Sequence, residues 1–268
     1  MGIEITVARG CAPTGRQLTE MLRAGGVAFA PPTDARVSWG CNFQNPQIPT
    51  LNANAGGANK LLQLERLSTA GVQTVPFFRH PLRNDAPQQE LRYPALARRI
   101  QHVGGNDVRI CNNLQEATYF LRNGWDFLSP VVPSQTEFRV WVYRRRHLAS
   151  YEKVLAHPEW RRRYRRVRQF GRSYRLGWTT RLVPAEQVNR LAVDIAIRAV
   201  DVLQLDFGAV DVLLGTDGQP YVLEVNTGPG ATDGSQFALA ALADKIMNWV
   251  VGGYKRRNGE TNVLRTRP

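Results

Sequence analysis

Lysine is scarce in this chain. Of 35 basic residues among 268, four are lysine (Lys60, Lys153, Lys245 and Lys255) and the rest are arginine. Against 22 acidic residues the net charge is +13. Such a surplus attracts phosphates, nucleic acid or acidic substrates without choosing among them. Cysteine is also sparse: Cys11, Cys41 and Cys111 are odd in number, far apart and form no Cys-x-x-Cys pair. That disfavours structural zinc and fits a reduced, cytoplasmic protein. The four histidines, His80, His102, His147 and His157, lack metal-like spacing and receive no role. No run of about eighteen apolar residues occurs, so no transmembrane helix and no membrane partner are expected. No basic leader precedes a long apolar segment, so no secretory signal is expected either. Gly2 and Thr6 fit a loose myristoylation pattern, but Ile3, Ile5 and Val7 alternate as a first strand would. No internal repeat is evident. A hydrophobic content of 43% supports a substantial core, as one composite domain or two to three subdomains.

What is present concentrates near the end. Phe207 to Gly230 reads FGAVDVLLGTDGQPYVLEVNTGPG. Ala209–Leu214 and Tyr221–Val225 are β-branched and aliphatic runs, and the Gly215–Pro220 segment between them is rich in turn residues. The pattern predicts a hairpin. Glu224 and Asn226 stand two apart, which on a strand puts both on one face. Asp211 interrupts an apolar strand, where an isolated charge is too costly to bury unpaired. Three oxygen-bearing side chains on a rigid hairpin suit a hard cation such as Mg²⁺. An ordinary hairpin with polar residues at a sheet rim is the alternative.

Elsewhere the patterning predicts strands at Glu4–Val7 and Val27–Ala30 around a helix at Thr14–Ala24, then a loop-rich stretch from Pro46 to Asn59. A helix follows over Asn59–Ala70, with Leu61, Leu64 and Leu67 at helical spacing. Strands are expected at Gln73–Phe78, Tyr93–Ile100, Val108–Cys111, Phe127–Val132, Glu137–Tyr143 and Ala149–Leu155. Further helices are expected at Leu114–Asn123, Pro184–Leu203 and Ser235–Val250. A basic tail closes the chain.

The segment from Asp211 through Asn226, continuing over Thr227–Ser235, resembles the C-terminal signature of ATP-grasp enzymes. It is most similar to D-alanine–D-alanine ligases and ribosomal-protein glutamate ligases, with a weaker likeness back to about Asn59. The resemblance implies an α/β (α+β) class and an ATP-grasp fold, with two α+β subdomains gripping ATP behind a small pre-ATP-grasp α/β domain. The boundaries so implied are 1–58 for the pre-ATP-grasp domain, 59–130 for the small subdomain and 131–252 for the large one, with a tail at 253–268. Asp211, Glu224 and Asn226 would hold Mg²⁺, two ions being expected and Mn²⁺ an alternative. Lys60 resembles the lysine of an Asp-Lys-Leu motif that reaches the nucleotide, and its GGANK context lacks a P-loop ending. Arg98 stands where most members have a phosphate-binding lysine, and its planar fork can grip phosphate oxygens. Gly104 and Gly105 would form the phosphate cover. Val131 and Val132 match the adenine hinge, and Glu137 the ribose-binding glutamate. Arg139 and Lys153 match cations facing the phosphates.

One departure bears on substrate: where D-alanine ligases carry an arginine two residues before the metal aspartate, this chain has Ala209. Another feature is the block His157–Arg181, in which six of the eight residues from Arg161 to Arg168 are arginine. It repels itself unless something acidic is near. The resemblance sets it beside the acceptor site, with Arg172 and Arg175 nearest the acyl-phosphate and Arg161–Arg175 open to an acidic partner. A solvated basic face is the bland alternative. Arginines interleaved with Tyr164, Phe170, Tyr174 and Trp178 would also suit nucleic acid, though no recognised nucleic-acid fold motif accompanies them.

The implied activity is an ATP- and Mg²⁺-dependent carboxylate–amine ligase acting through an acyl-phosphate, with small-molecule or peptide carboxylate and amine substrates. Arg139, Lys153 and Arg175 are its candidate catalytic residues. Phosphotransfer without ligation and nucleic-acid binding are the alternatives, and a homo-oligomer is a further expectation.

Overall fold

The computed structural model describes residues 2–29, 31–42, 47–56, 59–79, 91–100, 108–156, 172, 177–231 and 234–253. Three sheets order these residues, and each owes its place to where the apolar side chains fall. The first is parallel. Strand β1 (Gly2–Val7) enters helix α1 (Ala12–Ala24) through a 3-10 turn at Arg9–Cys11. Pro13 sits in the helix's first turn, where its missing N–H leaves no bond unmade. Strands β2 (Thr33–Trp39) and β3 (Thr50–Leu51) follow, in the order β1-β2-β3.

The strand expected at Val27–Ala30 is a single bridge from Ala28 to Gly2, and the true second strand is Thr33–Trp39. Pro31 and Pro32 have no N–H to continue a ladder from the apolar run. The strand that replaces it is buried from Ala35 to Trp39 on both faces, Arg36 and Ser38 included. Ala35, Val37 and Trp39 alternate with Asp34, Arg36 and Ser38, so the local signal for a strand was present in the sequence.

Helix α2 (Lys60–Thr69) begins where Asn59 caps it, Oδ1 accepting from the Leu62 N–H at 2.9 Å. Leu61, Leu64 and Leu67 are buried, as their spacing predicts. The strand expected over Gln73–Phe78 shrinks to a bridge from Thr74 to Val222 and a two-residue β4 (Phe78–Arg79), with Pro76 between them. The second sheet adds β5 (Ala95–Arg98), β6 (Val108–Cys111) and β7 (Phe127–Pro130) in the antiparallel order β4-β7-β5-β6. Helix α3 (Leu114–Arg122), capped by Asn113, packs on it.

The third sheet carries the candidate site. Strands β8 (Ser134–Tyr143), β9 (Arg146–Leu155), β10 (Trp178–Leu182), β11 (Phe207–Gly215) and β12 (Pro220–Asn226) form it in the order β10-β9-β8-β11-β12. Every pairing is antiparallel. One face presents Phe138, Val140, Val142, Val210, Val212, Val222 and Val225 to helix α4 (Arg190–Val202). The helix expected from Pro184 starts six residues later, because Asn189 caps it and Ala185–Gln187 forms a 3-10 turn instead. On the opposite face, Trp141, Tyr143, Tyr151, Phe207 and Ala209 pack on helix α5 (Gln236–Val251) and on Leu18 and Trp39 of the first unit. Strand β10 was not expected, because its exposed edge position leaves it mixed in polarity. Among the described residues no helix is long and apolar enough to cross a membrane.

Candidate functional site

The hairpin of β11 and β12 closes on a turn that its own residues stabilise. Gly218 has φ +77°, a conformation glycine adopts without strain. Asp217 accepts from the Gln219 N–H at 3.0 Å and from the Tyr221 hydroxyl at 2.6 Å. The register then decides which side chains meet. Asp211 stands opposite Glu224 on β12 and opposite Arg139 on β8, and Asn226 stands opposite Ala209. Directly opposed residues of an antiparallel pair share a face. Leu213 pairs with Glu137, and Tyr151, two residues before Lys153, pairs with Arg139. Period two therefore gathers Glu137, Arg139, Lys153, Asp211, Glu224 and Asn226 on one surface.

The side chains on that face are tightly paired. Arg139 grips Asp211 with two bonds, Nε to Oδ1 at 2.8 Å and Nη2 to Oδ2 at 3.0 Å. Lys60, from the first turn of α2, forms an ion pair with Glu224. The Asn226 amide donates to both Asp211 Oδ2 and Glu224 Oε1 at 3.3 Å. Arg98 enters from the end of β5, buried, with its guanidinium over the Phe127 ring at 5.4 Å. Among the described residues its Nε has no hydrogen-bond partner. Burial lowers the Arg98 pKa, and the nearby Glu224 and Glu137 work against that. Arg172 donates to Ser134 Oγ at 3.1 Å and lies over Trp178 at 5.1 Å.

Two carboxyls on one surface titrate in opposite directions. Burial pushes Glu137 up to about 7, with Asp211 adding to the rise and Lys153, Arg172 and Arg139 opposing it. Burial acts on Glu224 as well, but Lys60 beside it, helped by Arg98 and Arg139, holds that carboxyl well below its usual range. Proximity to an ammonium outweighs desolvation in one case and not in the other.

The remaining expected residues are placed as follows. The Val131 amide, expected to meet adenine, donates to the Pro94 carbonyl at 3.0 Å, and Val132 packs beside Leu61 and Phe127. Gly104, Gly105, Arg175 and the Arg161–Arg168 block lie outside the described residues. The exit loop of the hairpin rests on the first unit. The Thr227 hydroxyl donates to Ala55 O at 2.6 Å, and the Gly40 N–H donates to Thr227 O at 3.2 Å. A Cβ on Gly228 would come within 3.0 Å of the Gly40 nitrogen, so the approach requires glycine. The sequence reading also missed Gln63 on α2, whose side chain makes two bonds to the Val225 main chain at 3.0 Å. An amide one helical turn after Lys60 was its only signal.

The donor set fits a hard divalent ion. It offers oxygen only: two carboxylates and an amide whose Oδ1 takes the place of Nδ2 by rotation of the side chain. The orphaned, buried Nε of Arg98 fits an anion beside it.

Residues 174–247 match the family described as D-ala D-ala ligase C-terminus. The D-alanine–D-alanine ligase of Paraburkholderia phytofirmans is 52% identical over 60 residues, 22% of this chain and 19% of that protein. That of Burkholderia cenocepacia is 50% identical over 62 residues, 23% of this chain and 20% of the relative. The match thus spans about a fifth of these relatives' length. Among solved structures, D-alanine–D-alanine ligase from Bacillus anthracis complexed with ATP aligns with a TM-score of 0.62 at 17% identity, covering 91% of both chains. ATP-grasp ligase PsnB complexed with minimal precursor, Mg and ADP aligns at 0.64 and 13% identity, covering 91% of this chain and 96% of that one.

Proposed function

From an ATP-grasp fold whose residues 174–247 resemble D-alanine–D-alanine ligases, we propose that this protein is an ATP- and Mg²⁺-dependent carboxylate–amine ligase. The reaction proposed runs through an acyl-phosphate. The observation that carries the proposal is the single sheet face on which Asp211, Glu224 and Asn226 meet Arg139, Lys153, Lys60 and Arg98.

Charge on that face supports the reading. Four cations (Lys60, Arg98, Arg139 and Lys153) face three carboxylates (Glu137, Asp211 and Glu224), and Glu137 near pH 7 is only partly ionised. The excess is positive, as a polyphosphate needs. MgATP would supply the transferring phosphoryl group and the ion that neutralises its charge. Asp211, Glu224 and Asn226 would hold the ion, so Arg139 and Lys60, which pair those carboxylates here, become available to phosphate oxygens. Arg98 would offer its open donor to the nucleotide, and Lys153 would face the same phosphates. Stabilising charge on a transferring phosphoryl group needs positioned cations rather than a protein nucleophile. Glu137, Val131 and Val132 are assigned to the nucleoside end, and Gly104, Gly105 and Arg175 to the cover and acceptor side.

The acceptor differs from D-alanine in this reading. Ala209 is fully buried between Asn226 and Trp141 in register, and its methyl offers no cation where the resemblance expects an arginine. Arg139 is the guanidinium the face offers instead. We assign an acidic or peptide carboxylate as substrate and an amine as its partner. Three free cysteines support a reducing, cytoplasmic setting.

ADP release is the test, measured with Mg²⁺-ATP against amino acids, short peptides and acidic peptides. Release with a matching amide product supports ligation, and release with a phosphorylated product and no amide replaces it with a kinase. No magnesium-dependent nucleotide affinity by calorimetry removes the enzyme reading altogether.

A further inference from the structure

Strand β12 is the outermost strand of its sheet, yet its outer side is not open. The Val222 N–H donates to Gln73 O at 3.0 Å, and Val222 O accepts from the Val75 N–H at 3.2 Å. In a regular antiparallel strand, main-chain groups face outward at every second residue, so Glu224 and Asn226 would come next. A bulge prevents this. Asp211 pairs with Glu224 while Val212 pairs with Val222, which leaves Leu223 as the extra residue. The outward role passes to Val225. Its N–H donates to Gln63 Oε1 and its carbonyl accepts from Gln63 Nε2, both at 3.0 Å. One buried side-chain amide thus does what a neighbouring strand's peptide group would do.

We propose that Gln63 is a positioning residue that locks the bulged register of β12 and so keeps Glu224 and Asn226 on the face of Asp211. A one-residue slip turns every side chain of a strand to the other face, here into the valines under α4. The Lys60 ion pair is not such a lock, because a bond to the Glu224 carboxylate does not fix the strand's main chain. The two contacts come from one helix, a turn apart, so α2 sets the strand and pairs its acid together. The inference rests on reading this face as the magnesium–nucleotide site.

Hydrogen exchange on the ligand-free protein, with Mg²⁺ titration of ADP binding, tests it in wild type, Gln63→Met and Leu67→Ala. Leu67 is a fully buried residue of the same helix, packed in one apolar cluster with Val222 and Val225, but its side chain cannot hydrogen-bond the main chain, so its truncation reports loss of packing without loss of the lock. In wild type the Val222 and Val225 amides exchange slowly. Gln63→Met frees Val225 while Val222, bonded to main chain, stays slow. The Mg²⁺ needed for half-maximal ADP binding rises by about tenfold or more, the usual effect of losing a group that orients a ligand. Leu67→Ala lowers Tm without that rise. Fast exchange of Val225 in wild type, slow exchange in Gln63→Met, or equal Mg²⁺ shifts in both variants overturns the proposal. Should Gln63→Met not fold, Gln63→Asn, one methylene shorter, is judged by the same outcomes. Wild type that binds ADP without regard to Mg²⁺ sinks the ligase reading, and the exchange arm still decides whether Gln63 locks the register.

Discussion

The two faces of the third sheet are built from the same strands and do opposite work. Toward α4, Val140, Val210, Val212 and Val222 are fully buried and carry nothing that titrates. One residue along β8 and β11, and past the bulge on β12, the other side carries two ion pairs, Arg139 with Asp211 and Lys60 with Glu224. Part of that second face, from Trp141 to Phe207, is as apolar as the first. Charge is thus confined to the part of the face nearer the hairpin's turn, and the apolar part lies at its exit. Alternation supplies two surfaces, but only paired charges can occupy the buried one.

Moving a charge across the sheet is the most drastic way to break the comparison. Val210→Asp would set a carboxylate among the valines with no cation beside it, costing about 3–5 kcal/mol, enough to abolish cooperative folding in a thermal melt. Stable, folded Val210→Asp protein would show that the two faces are not distinct environments.

Glu224→Gln keeps shape and removes the charge from the polar face. Turnover should fall by about 10²–10³-fold or more, the scale of losing one transition-state contact, with circular dichroism unchanged. Undiminished ADP release would remove Glu224 from the metal set.

A third prediction concerns pH. Glu137 takes up its proton more readily when folded, at about 7 against an ordinary 4.5. Between those values the folded state binds more protons than the unfolded chain, so stability falls as pH rises through that window. The loss reaches about 3 kcal/mol, complete once pH passes the folded value. Glu224, held low, works the other way, and its contribution is lost only as pH drops below its ordinary 4.5. Comparing Tm from pH 5 to 8 in wild type and Glu137→Gln isolates the first group. Parallel curves would mean that the carboxyl is not perturbed by burial.

The smallest effect is expected at the turn. Asp217→Ala removes two bonds from an exposed loop, where water replaces them, and should lower Tm only slightly with ADP release unaltered. A large loss of activity there would mean that the hairpin's tip, and not only its faces, sets the site.

The hairpin, its turn and the shared face of Glu224 and Asn226 were legible because period two and turn residues are local signals. Helix α2 was legible too, from three leucines and the stop at Gly71, while its Asn59 cap came from the structure. Strand β2 carried the same signal, Ala35, Val37 and Trp39 alternating with Arg36 and Ser38, and was overlooked, whereas β10 was not legible, since an edge strand needs no apolar pattern. Ion pairing between Lys60 and Glu224, 164 positions apart, leaves no local trace at all.

By itself the amino-acid sequence determined the hairpin, the three oxygen-bearing side chains on it and the common face of Glu224 and Asn226. Tertiary structure alone decided what surrounds them. Burial raised one carboxyl, an ammonium from a distant helix lowered another, and a glutamine amide closed an open strand edge. Those outcomes depend on distances between segments far apart in the chain, and a local pattern contains no such distances.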